Sequence, residues 1–247
     1  MTVRDGERGE GYTFHHRRRG EGLLFDQEMA RGLPGMIRGT IPGYDLMLEL
    51  CTVIAGEYAA DDSLLFDLGC ALGDTTAALR AGCRGKRCRI VAVDSAPAMI
   101  VRCRDRFPPE EGLPPVVPLC ADIRDIRVAD ASVVALNLTL QFLPHRARLP
   151  LLRAVRHGMK RGAALLLSEV VVFEDQVVGK RLVGLQGAFK RRGMEGEEGR
   201  SAASTPFDAL LDADTIEQHL HRLHLAGFAR VMPWFQCLNF ASILAIR

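Results

Sequence analysis

The stretch Phe66-Asp-Leu-Gly-Cys-Ala-Leu-Gly-Asp-Thr-Thr76 constrains this chain more than any other. Leu64, Leu65, Phe66 and Leu68 form a short apolar run around one acid, Asp67. A run of that length bounded by glycine reads as a buried strand. Gly69 and Gly73 come directly after it, and an apolar helical pattern begins near Thr75. Strand, glycine turn and helix are the opening unit of a nucleotide-binding α/β fold. At Gly69 the backbone turns sharply and a ligand can approach, because no Cβ blocks it. The helix N-terminus then offers free N–H groups to polar parts of that ligand. The spacing D-x-G-x-x-x-G differs from the G-x-G-x-x-G of dinucleotide enzymes. Alone, the turn is equally an ordinary tight connection, and the residues at the later strand ends decide between the two.

Ile90-Val-Ala-Val-Asp94 is a second apolar run ending in an acid. An acid at the end of the second strand can accept both hydroxyls of a ribose. Ser95 can cap the next helix, with Pro97 in its first turn. Val116–Leu119 reads as a third strand, after which Asp122 suits an adenine amino group and Ile123 the ring. Ser132–Leu136 is a fourth, ending at Asn137, and Ala163–Val172 a fifth, with a helix over 145–159 between them. Strands alternating with helices predict a parallel sheet wound on both sides. Ligands of such sheets collect at the C-terminal strand ends, where Gly69, Asp94, Asp122 and Asn137 all fall.

The remaining chain gives weaker signals. Residues 1–24 are poor in apolar residues and predict a flexible arm; Arg17–Arg19 within it could touch phosphate. Residues 25–247 predict a single domain, a size that buries a sizeable core. Short helices are expected over Phe25–Met36 and Asp45–Tyr58, with Tyr44 at the entrance to the second. A further helix is expected over 176–191, then a loop or lid over 192–206, then a helix over Asp214–Ala226. His219, His221 and His224 on that helix lack the spacing of a metal site, so no metal is expected. Phe228–Trp234 and Phe240–Ile246 predict an antiparallel pair at the end of the sheet. A net charge of +2 is no footprint for nucleic acid. An odd count of seven cysteines without a C-x-x-C pair argues for reduced thiols in a cytoplasm. No run approaches a membrane span.

With these residues in place, the sequence resembles the class I S-adenosyl-L-methionine (SAM) dependent methyltransferases, and within them the carboxy-SAM synthases. The segments that carry the resemblance are IPGY (Ile41–Tyr44), FDLGCALG, VAVDSAPAMI, ADIRDI, LNLTLQFL, LLLSE, AFKR and WFQCLNF. It implies a Rossmann-like, mainly parallel seven-stranded sheet with an antiparallel C-terminal strand. SAM, or S-adenosyl-L-homocysteine (SAH) as bound product, is the cofactor implied. Tyr44, Gly69, Cys70, Ala71, Asp94, Ser95, Asp122, Ile123 and Asn137 are the cofactor residues implied. The resemblance also implies a homodimer and a reaction of SAM with prephenate giving carboxy-SAM, phenylpyruvate and water for tRNA wobble-uridine modification.

One segment departs from that family. Its members pair the added carboxylate with an arginine of an S-Q-K-R segment that reaches across a dimer interface. Counting from AFKR, the arginine's position here is Ser204, within GRSAAST. Arg191, Arg192 and Arg200 are the remaining candidates for that charge. The expectation is therefore a SAM-dependent transferase of altered specificity acting on a small molecule. A carboxy-SAM synthase with a relocated arginine and a SAM-binding scaffold without turnover are the alternatives. For a general base, Tyr44, His145, Glu169, Trp234 and Gln236 are the candidates near the pocket mouth.

Overall fold

A computed structural model describes residues 27–193 and 212–247. Seven strands form one sheet: β1 (Ser63–Leu68), β2 (Cys88–Asp94), β3 (Val116–Cys120), β4 (Ala131–Asn137), β5 (Met159–Val170), β6 (Arg230–Cys237) and β7 (Phe240–Ile246). Their spatial order is β3-β2-β1-β4-β5-β7-β6. The β3-β2-β1-β4-β5 part is parallel, and β7 runs antiparallel to both β5 and β6. The expected mainly parallel seven-stranded architecture is therefore present.

Alternation along the central strands divides the core between two faces. Leu65, Val133, Ala135 and Leu166 pack with Met47, Cys51 and Ala55 of α2 (Tyr44–Tyr58) and Leu79 of α3 (Asp74–Gly82). Phe66, Val134, Leu136 and Leu165 pack on the other face with Leu152 and Val155 of α5 (His145–Gly158). The last helix, α7 (Ile216–Leu225), adds Leu223 there. Both faces are covered, which is why these strands read as continuous apolar runs rather than alternating ones. The remaining helices are α1 (Gln27–Thr40), α4 (Pro97–Arg106) and α6 (Gln176–Gly193).

Several boundaries differ from the sequence reading: β6 runs Arg230–Cys237 and not Phe228–Trp234, and β5 ends at Val170 and not Val172. The first helix runs on to Thr40, because Met36 and Ile37 pack beside Leu33 and Met99 and the Ile41 N–H still reaches the Ile37 carbonyl at 2.8 Å. Strand β5 begins at Met159, four residues early; Gly162, at φ 78°, absorbs the irregularity in its pairing with β4. Helix α7 starts at Ile216 and not at Asp214, since Thr215 and Gln218 close a reciprocal capping box there. The arm 1–24, the start of the first helix at Phe25 and most of the expected lid lie outside the described residues. All seven cysteines are free. Among the described residues no helix is long and apolar enough to cross a membrane.

Candidate functional site

The C-terminal ends of the parallel strands open into a cavity of about 250 Å³. All nine residues expected at a cofactor site line it: Tyr44, Gly69, Cys70, Ala71, Asp94, Ser95, Asp122, Ile123 and Asn137. Each arrives by the same route, as the first residues beyond a strand of the parallel sheet or the last of one. Tyr44 is the exception, opening α2 after Gly43 at φ 77°.

The glycine turn is closely held. The N–H groups of Gly69 and Cys70 both donate to the Val93 carbonyl, at 2.8 and 2.9 Å. Gly69 and Gly73 have φ of 88° and 86°, which only glycine adopts without strain. Asp94 braces the same turn. Its carboxylate accepts the Ala71 N–H at 2.9 Å and the Ala96 N–H at 2.9 Å. Burial raises the Asp94 pKa, and these two N–H groups oppose the rise. Asp122 accepts the N–H and guanidinium of Arg124, at 2.8 and 2.9 Å, and that pairing lowers its pKa. Asn137 donates to Thr75 Oγ1 at 3.0 Å, while its buried Oδ1 has no partner among the described residues.

Of the five candidates for a base, Tyr44 alone lines the cavity. Its hydroxyl donates to Asp74 Oδ2 at 3.4 Å, and burial, with the Asp74 charge second, pushes the phenol pKa up. Asp74, absent from the sequence reading, also accepts Arg106 at 2.6 Å and lines the cavity. Glu169 lies beneath the site, accepting the N–H groups of Thr139, Leu140 and Gln141 at 3.2, 2.8 and 3.0 Å. His145 faces Asp212 at 2.9 Å, outside the cavity lining. Trp234 and Gln236 sit on the edge strand β6, and Gln236 donates to the Leu238 carbonyl. Arg191 and Arg192 are exposed at the end of α6 and do not reach the lining. Arg200, Ser204 and Arg17–Arg19 lie outside the described residues. Sequence reasoning missed Gln141, Gln186 and Phe240, which also line the cavity. Gln141 sat in plain view within LNLTLQFL; nothing local marks Gln186 on α6.

Asp67, fully buried under the turn, accepts the Thr76 hydroxyl at 2.5 Å, and burial raises its pKa to about 7. Folding therefore takes up a proton between about pH 4 and 7. This stabilisation is full below about pH 4 and is lost as pH rises through about 7. Glu169, raised by burial to about 8, acts in the same direction. Asp67→Asn keeps an oxygen for Thr76 and cannot ionise. Between about pH 5 and 8 its stability is expected to fall less than that of the wild type, by on the order of 2–4 kcal/mol at the alkaline end. Parallel Tm profiles would show that Asp67 does not titrate in this window.

A methyltransferase domain family matches residues 65–162. The carboxy-S-adenosyl-L-methionine synthase of Photorhabdus laumondii is 39% identical over 223 residues, covering 90% of this chain and 88% of that protein. The Ectopseudomonas mendocina enzyme of the same name is 40% identical over 228 residues, covering 91% and 92%. Among solved structures, a putative O-methyltransferase from Nostoc punctiforme superposes with a TM-score of 0.61 at 14% identity, over 90% of this chain and 59% of that one. Magnesium protoporphyrin IX methyltransferase from Synechocystis, with bound SAM, gives 0.54 at 12% identity, over 92% and 86%. These two share the fold.

Proposed function

The chain belongs to the carboxy-S-adenosyl-L-methionine synthase family, and from that premise we propose that this SAM-dependent transferase has an altered specificity, passing the SAM methyl or a one-carbon group derived from it to a small molecule. The residues lining the cavity fit SAM. Asp94 keeps lone pairs for the ribose hydroxyls, and the orphaned Asn137 Oδ1 is an acceptor that a ligand donor would satisfy. Bound there, SAM would supply an electrophilic methyl on a sulfonium leaving group. The protein's part is then chiefly to hold a nucleophile in line with that methyl and keep water out.

One observation carries the altered specificity. Ser204 stands at the position where the family's members carry the arginine that pairs with the added carboxylate, and Asp74, Asp94 and Asp122 line the cavity. A sulfonium suits such a wall. The extra carboxylate of carboxy-SAM does not, because a buried carboxylate needs a charge-assisted partner.

The test is competition binding of SAM and carboxy-SAM to the unmodified protein, with an assay on SAM plus prephenate. An unpaired buried carboxylate costs several kcal/mol, so SAM is expected to bind roughly a hundredfold tighter or more. Ser204→Arg should narrow that gap. The mass of the nucleoside that co-purifies with the protein gives an independent reading. The identity to carboxy-SAM synthases across most of the chain favours a second reading, synthesis of carboxy-SAM itself. Tight carboxy-SAM binding with phenylpyruvate release would establish it. Single substitution of Arg191, Arg192 and Arg200 would then locate the carboxylate's partner.

A further inference from the structure

The cavity is longer than a nucleoside needs. Its lining runs in sheet order from Asp122 beyond β3, through Asp94, Gly69 and Asn137, to Val170 at the end of β5 and Phe240 at the start of β7. If adenine and ribose lie at the β3 and β2 ends and the amino-acid end at the glycine turn, the methyl faces onward, past β4. Two further strand spacings remain, roughly 10 Å.

That remaining end is built from apolar walls and two oriented amides. Phe142, Leu143, Val170 and Phe240 supply the walls. Gln141, 3% exposed, accepts the Val170 N–H through Oε1 at 2.9 Å. Only an oxygen can accept from an N–H, so the contact fixes which way this amide points. Its main chain is pinned as well: the N–H donates to Glu169, and the carbonyl accepts Arg148 at 3.4 Å and the Asp212 N–H at 3.3 Å. Gln186, 6% exposed on α6, accepts Asn239 Nδ2 through Oε1 at 3.1 Å. In Gln141 the oxygen is engaged by the main chain and the NH2 group is left as a donor, and the Gln186 amide pairs with the Asn239 amide. Lys190, one turn further along α6, is buried but does not line the cavity.

We propose that Gln141 and Gln186 form the acceptor subsite, and that it takes an uncharged, ring-sized molecule by hydrogen-bonding one of its oxygen atoms. This rests on the reading of the β3–β4 half as the SAM site. The apolar walls match a ring, and oriented N–H donors match a carbonyl, phenol or ether oxygen. An anion would be desolvated against neutral amides and apolar walls.

Acetophenone and benzoate are suitable probes, because they have the same number of heavy atoms and differ by a methyl against a charged oxygen. Their binding to the full-length protein is measured by titration with and without SAH, beside SAM affinity by calorimetry. Acetophenone is expected to bind at least about tenfold tighter than benzoate. Gln186→Met, which keeps length and loses the donors, is expected to weaken acetophenone by roughly tenfold and leave SAM affinity within about twofold. The proposal is overturned by benzoate binding as well or better, by neither probe binding while SAH does, or by unchanged acetophenone affinity in Gln186→Met. The wild-type comparison stands whether or not the variant folds. Loss of SAM binding in the wild type, with the probe preference intact, would sink the cofactor reading and spare the subsite.

Discussion

Asp94→Ala is expected to lose SAM affinity by more than about a hundredfold. The substitution removes an acidic acceptor at the end of β2, and two hydrogen bonds to a charged group together contribute on the order of 3–5 kcal/mol. The structure adds a second loss. The same carboxylate holds the Ala71 N–H, and Ala71 sits at φ 44°, a left-handed conformation that costs an alanine about 1–2 kcal/mol. Without Asp94 the turn loses its brace as well as the ligand its acceptor. Asp94→Asn separates the two, since one oxygen remains while the charge does not. Its SAM affinity should fall between the wild type and Asp94→Ala. Calorimetry on both variants decides: unchanged affinity in Asp94→Ala would remove this residue from the site.

Gly69→Val should act on the fold before it acts on the ligand. Position 69 reads from the sequence as a place where a side chain would meet the cofactor. In the structure a Cβ there lies 2.2 Å from Thr139 Oγ1 and 2.5 Å from Thr139 Cγ2, at φ 88°. The backbone cost of about 1–2 kcal/mol and an overpacking cost of about 1–3 kcal/mol together predict a loss of about 2–5 kcal/mol. Urea denaturation midpoints measure it. Gly69→Ala combined with Thr139→Gly should recover the overpacking part and retain the backbone part. A double variant no more stable than Gly69→Ala alone would show that Thr139 is not what excludes the side chain.

The network under the site is where tertiary packing departs from what a pattern shows. Glu169 lies next to the end of the apolar strand β5 and resembles a pocket acid when read along the chain. It instead gathers three N–H groups of the 139–141 segment. Arg148, fully buried, grips the other side of that segment through the carbonyls of Leu143 and Gln141, and it pairs with Asp214 at 2.5 Å. These two side chains position the wall that carries Gln141 and Phe142. Their partners lie up to 66 residues away in the chain, so no spacing rule announces them.

The sequence by itself determined the parallel sheet, the glycine turn and the run of polar residues along the strand ends. Those signals are local. An apolar run marks a buried strand, the residue that ends it must face the strand's C-terminal edge, and a glycine with positive φ marks a turn wherever it stands. Tertiary structure alone decided that Asp94 braces Ala71, that Thr139 fills the space over Gly69, that α1 closes one wall and that Gln186 pairs with Asn239 at the far end of the cavity. Each of these is a choice of partner between residues distant in sequence. Such a choice depends on how whole elements pack against the sheet, because a buried donor or acceptor takes whatever partner that packing brings within reach.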